Sequence, residues 1–298
     1  MGSAKSKAII SLVLTFFFWG SVYVAGKMIA QDVPPMLLAC LRCVVAVFPL
    51  TFMARKHMGI QIRKEDRKYF VMVGVLGYFM TLVLVQIGIS LTGASMASLI
   101  NSVNPVSVTV IAAIVLKEKI TPVKVLCLFL ALAGAVVVSK GAGGQSDVLG
   151  IVVVLISVLS WGTASVFMRK LTSRYPAILV TAYGMAVSLL FHIPVGIYTA
   201  VTQPVQISLK SILVVLYLGL VGSGLSQYTW TKCLSVLPAS TCSLFYPLQA
   251  VFSAMLGVWL LDETFKPAFF LGLLLISADV ALSTWETKRV SDSAVKEG

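Results

Sequence analysis

The sequence predicts an all-α integral membrane protein: ten transmembrane helices forming two inverted five-helix repeats, with both chain ends on the cytoplasmic side. Three observations carry this prediction. Of the 298 residues, 58% are hydrophobic and only 11% charged, against roughly 25% charged in an ordinary soluble domain, and the mean hydropathy is +0.98. The apolar residues fall into ten runs, each about as long as a helix needs to cross a bilayer. Landmarks of the first half also recur in the second at a near-constant spacing.

The predicted spans are 8–29, 34–54, 69–91, 94–116, 122–139, 147–170, 176–199, 210–236, 239–261 and 267–285. The first apolar run is too long for a signal-peptide core and is expected to stay as the first helix. Pro34, Pro122, Pro176 and Pro267 mark span starts, where the missing N–H has no intrahelical acceptor in any case. With a cytoplasmic N-terminus, 18 of the 23 Lys and Arg residues fall on the inner side, four (Lys27, Lys140, Lys210, Lys266) on the outer side, and Arg42 within a span. That bias sets the orientation. The basic loop 55–68 reads as a topology determinant attracted to the inner leaflet.

A net charge of +12 would raise nucleic acid as a partner of a soluble domain. Here the charges separate apolar runs, so membrane lipids are the expected partner and nucleic acid is not. The five cysteines lie in apolar segments without metal-ligand spacing and read as small core residues.

An offset of 142 matches Trp19-Gly20 with Trp161-Gly162, Ser21 with Thr163, Lys27 with Arg169 and Pro34 with Pro176. Further along, an offset of 145 matches Ala94-Ser95 with Ala239-Ser240, Glu118 with Glu263 and Pro122 with Pro267. The chain therefore divides into repeats at 1–145 and 146–298. Five helices per repeat is an odd number, so the copies cross the membrane in opposite senses. This is the inverted plan in which a midplane site is exposed alternately to the two sides.

The "FWGS" and "SWGT" openings of spans 1 and 6, Arg42 in span 2, and the "LKEKITP" and "LDETFKP" hinges resemble the EamA branch of the drug/metabolite transporter superfamily. The resemblance covers essentially the whole chain. It implies a cavity surrounded by helices 1–4 and 6–9, with helices 5 and 10 outside and often forming a homodimer contact. It also implies metabolite transport, with cargoes ranging from amino acids to nucleotide sugars and drugs, and it puts an arginine where the family commonly has one.

Several groups are candidates for cargo contact. Trp19 and Tyr23 share one helix face, as do Trp161 and Ser165. These faces would oppose each other across a cavity; the alternatives are an interfacial aromatic belt, against which the depth of Trp19, ~17 Å from the helix start at 1.5 Å per residue, argues, and plain helix packing. The glycine after each tryptophan leaves room for a neighbouring helix or for cargo. Asn101 and Asn104 precede Pro105, and Tyr246 and Gln249 flank Pro247. Proline breaks the ladder there, and these polar groups serve either cargo or helix-to-helix hydrogen bonds. Gln227, Tyr228 and Trp230 lie in the most polar stretch of any span, and Tyr78 and Gln86 share a face of span 3. Together these groups suit a planar or zwitterionic solute, or a quaternary ammonium.

Arg42 would meet a substrate carboxylate, a gating partner or a structural ion pair. Asp279 and His192 are candidates for ion coupling, against local hydrogen-bonding roles. The sequence has no HExxH, His-rich site, GxSxG elbow or P-loop, so no metal, cofactor or ATP hydrolysis is expected. The reading is a secondary transporter, not an enzyme. It moves a small polar solute, an amino acid, an amine or a related metabolite, across a plasma membrane such as the bacterial inner membrane, and the family resemblance alone implies export. An intramembrane enzyme would need clustered acids, bases or metal ligands, and a nonselective pore or lipid scramblase would need a continuous polar groove.

Overall fold

The computed structural model describes residues 2–92, 103–139 and 148–261, together with Ala97, Ile100, Asn101 and scattered positions between 271 and 285. Asp279, Ser102 and most of the last expected span lie outside the described residues. Among the described residues every regular element is helical.

Helix α1 (Gly2–Lys27) is followed by α2 (Pro35–Ala54), with Pro35 at its first position. The third span is composite: α3 (Lys64–Met72), a π-helical segment (Val73–Met80) and α4 (Thr81–Thr92) run on without a loop. After a turn at Val103 come α5 (Asn104–Val115) and α6 (Pro122–Ser139). In the second half, α7 (Val148–Thr172) and α8 (Ala177–Thr202) precede another composite span. It comprises α9 (Leu209–Tyr217), a π-helical segment (Leu218–Leu225) and α10 (Ser226–Val236). Short α11 (Ala239–Ser243) and α12 (Pro247–Leu261) complete the described chain.

Six helical runs, Ala4–Lys27, Pro35–His57, Lys64–Gly88, Val148–Thr172, Ala177–Thr202 and Leu209–Val236, are each long and apolar enough to cross a membrane. Phe48, Ile114, Leu190, Val201 and Trp259 are each at least 70% exposed, as suits side chains that face lipid tails. The protein is a multi-pass membrane protein.

The most extensive packing joins the two halves of the chain. α2 runs along α8, α1 along α12 and α10, and α7 along α4 and α5. The two π-helical segments start 145 residues apart and end 145 residues apart, and their environments match. A Cβ added at Gly74 would meet the Gly184 carbonyl oxygen and Val187, each at 2.7 Å, while one at Gly219 would meet Val45 at 2.5 Å and the Arg42 carbonyl oxygen at 3.2 Å. Arg42 and Val45 lie 142 residues before Gly184 and Val187. Gly77 and Gly222 likewise face Ala164 and Val22, again 142 apart. A π turn frees a carbonyl from its usual donor, and a hydroxyl answers it in both copies: Thr81 Oγ1 donates to Leu76 O and Ser226 Oγ to Val221 O, each at 2.7 Å.

The glycines after the tryptophans also sit at close approaches. A Cβ at Gly20 would lie 2.9 Å from both the Gln249 carbonyl oxygen and Phe252, and one at Gly162 would collide with the Ser107 side chain. The expected helix breaks at the prolines are present too. Helix resumes at Asn104 in the first half and at Pro247 in the second, two residues out of step at the 145 offset. The Asn104 side chain donates to the Asn101 carbonyl at 2.9 Å and that of Asn101 to the Ala97 carbonyl at 3.1 Å, so the amides satisfy backbone acceptors that the break leaves open.

Candidate functional site

A cavity of about 370 Å³ lies between the two halves. It extends from Trp19 to Lys27, Ala30, Val33 and Pro35 at the α1–α2 end of the bundle. Its floor is aromatic, lined by Trp19, Trp161 and Tyr246. With Phe16 and Trp230 behind them these rings form one packed cluster, neighbouring centroids 4.9–6.2 Å apart, in edge-on and tilted poses that the ring quadrupoles favour. Trp161 Nε1 donates to the Tyr246 hydroxyl, which ties α7 to the turn before α12.

The polar wall comes from both halves. Tyr23, Arg42, Gln86, Asn101 and Asn104 line it on one side, Gln227 and Gln249 on the other. The Tyr23 hydroxyl meets the Gln249 side chain. Four pairs of lining residues are repeat equivalents: Trp19 with Trp161 at the 142 offset, and Leu82 with Gln227, Asn101 with Tyr246 and Asn104 with Gln249 at 145. Asn104 Oδ1 and Gln227 Oε1 have no hydrogen-bond partner among the described residues. Arg42 is buried, and its Nε donates to Ser223 Oγ at 3.1 Å.

Four expected contact residues stand apart from the cavity surface. Trp230 lies under the floor, fully buried, against Trp19 and Trp161. Tyr78 is also buried; its hydroxyl donates to the Met168 sulfur at 3.9 Å and its ring lies 6.4 Å from Trp161. Ser165 is buried beneath the wall. Tyr228 is half-buried on another face of α10, with the Lys232 ammonium 5.9 Å from its ring. His192 also lies off the cavity. Its Nε2 donates to the Tyr78 carbonyl at 3.1 Å and its ring stands edge-on to Phe79.

Sequence reasoning missed Gly77, Thr81 and the apolar lining residues Val22, Leu82 and Val85. Gly77 and Thr81 carry a signal after all: a Gly-x-x-Gly with a hydroxyl four residues on, at 74–81 and again at 219–226.

The other end of the bundle is closed by polar ties between the halves. The Glu118 carboxylate accepts from Ala239 N at 2.9 Å, Ser240 N at 3.2 Å and Ser240 Oγ at 2.5 Å, and Lys124 Nζ donates to Ser240 Oγ at 2.7 Å. Lys117, just before Glu118, has φ +56°, a left-handed conformation that turns the chain sharply at the end of α5. Nearby, buried Asp66 accepts from Arg174 Nη1 at 3.0 Å and from the Tyr175 hydroxyl at 2.9 Å. That hydrogen bond to Asp66 holds the Arg174 guanidinium above its usual pKa. Arg169 Nη1 donates to the Leu234 carbonyl at 2.6 Å.

The polar and aromatic cavity lies between the two halves of a helical bundle, and sequence comparison decides the family. The model of the EamA-like transporter family matches residues 6–140 and again 148–285. The chain belongs to the EamA-like transporter family. Among relatives of this EamA-like protein is a "probable terminal-alkyne amino-acid exporter" of Streptantibioticus cattleyicolor, 27% identical, with 93% of each chain covered. Another is a "probable amino-acid metabolite efflux pump" of Escherichia coli, 24% identical over 92% of this chain and 93% of the relative. Others, from Clostridium kluyveri and Bacillus subtilis, are named as transporters without a cargo. A solved crystal structure at 21% identity superimposes on 96% of this EamA-like chain and 99% of its own, with a TM-score of 0.80, a likeness of fold alone.

Proposed function

We propose that this protein is a secondary transporter that exports a small polar organic solute, an amino acid, an amine or a related metabolite, by alternating access. One observation carries the reading. A single cavity between the halves joins an aromatic floor to a wall of amide, hydroxyl and guanidinium groups, and repeat-equivalent residues contribute to both. Such a lining holds a zwitterion or amine by hydrogen bonds at one end and by apolar and cation–π contact at the other. The names of two relatives point to amino-acid cargo.

In this proposal ten helices form two inverted repeats, 1–145 and 146–298, with both termini cytoplasmic. The double match of the family model and the paired glycine contacts support it. The fold then sits in a plasma membrane, such as the bacterial inner membrane, and pairs into a homodimer through its fifth and tenth helices. In that orientation the α1–α2 end faces outward, so the state described here opens to the outside. The aromatic floor and the Glu118 and Asp66 ties close the inner side. Moving to the inward-open state means parting those rings and ties while a counterpart closure forms at the outer end.

The test is counterflow in proteoliposomes. Vesicles preloaded with one unlabelled amino acid or amine are diluted into trace label, across the common amino acids and their amines. Saturable, exchange-stimulated uptake of at least one compound is expected. Flux that rises linearly with concentration and shows no exchange stimulation would point to a pore and sink the proposal.

A further inference from the structure

We infer that Arg42 reads a carboxylate on the cargo, with Ser223 as its positioning residue, so that the cavity takes an amino acid in one orientation in preference to the corresponding bare amine. The inference rests on the cargo reading above and narrows it.

The first argument concerns neutralisation. Arg42 is buried in the cavity wall, and a guanidinium cannot shed its proton, so its charge must be answered. The described residues include four carboxylates. Glu65 and Asp66 are tied to Arg174, Glu118 caps the start of α11, and Asp32 lies in the α1–α2 connection. Among the described residues no carboxylate is within ion-pairing distance of Arg42. A buried cation left in this state is expensive, and a solute carboxylate entering the cavity removes the deficit.

The second argument is geometric. Ser223 Oγ, itself buried, takes the Nε hydrogen at 3.1 Å, and Gly222 leaves room beside Nη2, since a Cβ there would lie 3.5 Å from it. Nε is the only Arg42 donor with an acceptor among the described residues. The planar fork is therefore held by one corner, and the Nη donors remain for a planar acceptor.

The third argument comes from the repeat. The 142 equivalent of Arg42 is Gly184, and the 145 equivalent of Ser223 is Tyr78. A Cβ at Gly184 would lie 2.8 Å from the Tyr78 ring. One copy therefore fills the space with a ring against a glycine, and the other with an arginine against a serine. Shape is balanced between the copies and charge is not, so a cargo charge is recognised on one side only. Asn104 Oδ1 and Gln227 Oε1, on other lining residues, lack donors among the described residues, and a cargo ammonium supplies three.

The full chain and its Arg42→Gln, Arg42→Lys and Ser223→Ala variants are placed in nanodiscs. Each is titrated with the standard L-amino acids, their methyl esters and their decarboxylated amines. Ligand-induced thermal stabilisation gives the affinities. On the wild type the acid is expected to bind at least about tenfold tighter than ester or amine, the scale of one charge-assisted hydrogen-bond pair. Arg42→Gln brings the three within about twofold, Arg42→Lys keeps part of the preference, and Ser223→Ala weakens the acid while sparing the amine.

A wild type that binds ester or amine as tightly as acid overturns this inference and leaves the cavity reading standing. So does a folded Arg42→Gln that keeps the full preference for acid. If no compound shifts the wild type, the cargo reading falls and this inference with it. Should Arg42→Gln not fold, the comparison of acid, ester and amine on the wild type decides alone.

Discussion

Exchanging one methyl group between Gly77 and Ala164 tests whether the π-helical segment packs as described. A Cβ at Gly77 would lie 2.8 Å from Ala164 Cβ and 3.3 Å from Met168 Cε. Carbon atoms pack best at about 3.5–4.0 Å, so Gly77→Ala forces α7 and the π segment apart by several tenths of an ångström. Overpacking of this kind costs about 1–3 kcal/mol. Ala164→Gly alone opens the same contact and loosens a helix interior, for about 0.5–1 kcal/mol. In the double variant the methyl returns from the other side, so its stability should lie within about 1 kcal/mol of wild type. The coupling between the two changes should therefore exceed about 1 kcal/mol in the rescuing direction. The assay is reversible unfolding in mixed micelles, followed by tryptophan fluorescence. Gly26→Ala, where an added Cβ meets nothing within 4 Å, serves as a control and should be neutral or slightly stabilising. Additive effects of the two single changes would refute the packing argument, and so would a Gly77→Ala variant as stable as the control.

Two further outcomes follow from hydrogen bonds between the halves. Glu118→Ala removes the acceptor of Ala239 N and Ser240 N and should cost about 1–2 kcal/mol, since Glu118 is partly exposed and the cap is a charged one. It should also speed hydrogen exchange at residues 239–243, with Glu118→Gln intermediate; unchanged exchange in the alanine variant would remove the tie from the closure. Tyr246→Phe leaves the Trp161 indole N–H without its acceptor and should cost about 1–3 kcal/mol. Trp161→Phe in that background should add less than it does in the wild type, and fully additive losses would show that the two groups are not partners.

The floor and wall of the cavity were legible in part because the chain writes matching stretches of its lining twice. Trp19 and Trp161 announce themselves by the shared Trp-Gly, and the prolines mark the broken helices that present Asn101, Asn104, Tyr246 and Gln249. Other positions were not readable for local reasons. Tyr228 follows Gln227 by one residue, and a helix turns about 100° per residue, so neighbours in a polar stretch cannot all face one cavity. Ser165 occupies the position matched to Tyr23, and its short side chain stays buried beneath the wall. Trp230 reads as a lining aromatic, yet it lies beneath the rings that form the surface. The π-helical segments were invisible because their composition is that of any apolar membrane helix; only the recurrence of two glycines and a hydroxyl at one spacing sets them apart.

Those segments bear directly on how one site could serve two sides. Each lies where a composite span crosses the other half of the bundle, and each is packed through glycines onto backbone or onto small side chains. Close packing through glycines at a helix crossing lets helices change their relative tilt at little cost in buried surface. The π turns, with their hydroxyl-satisfied carbonyls, place a local irregularity at the equivalent position of both copies. The exchange of Gly184 and Tyr78 for Arg42 and Ser223 keeps the two crossings matched in bulk, so the proposed alternating motion would not need to differ between copies. It confines the charge to one of them. A cargo anchored at Arg42 would then keep its orientation while the halves tilt about it, and the opening to solvent would change sides without the carboxylate being released.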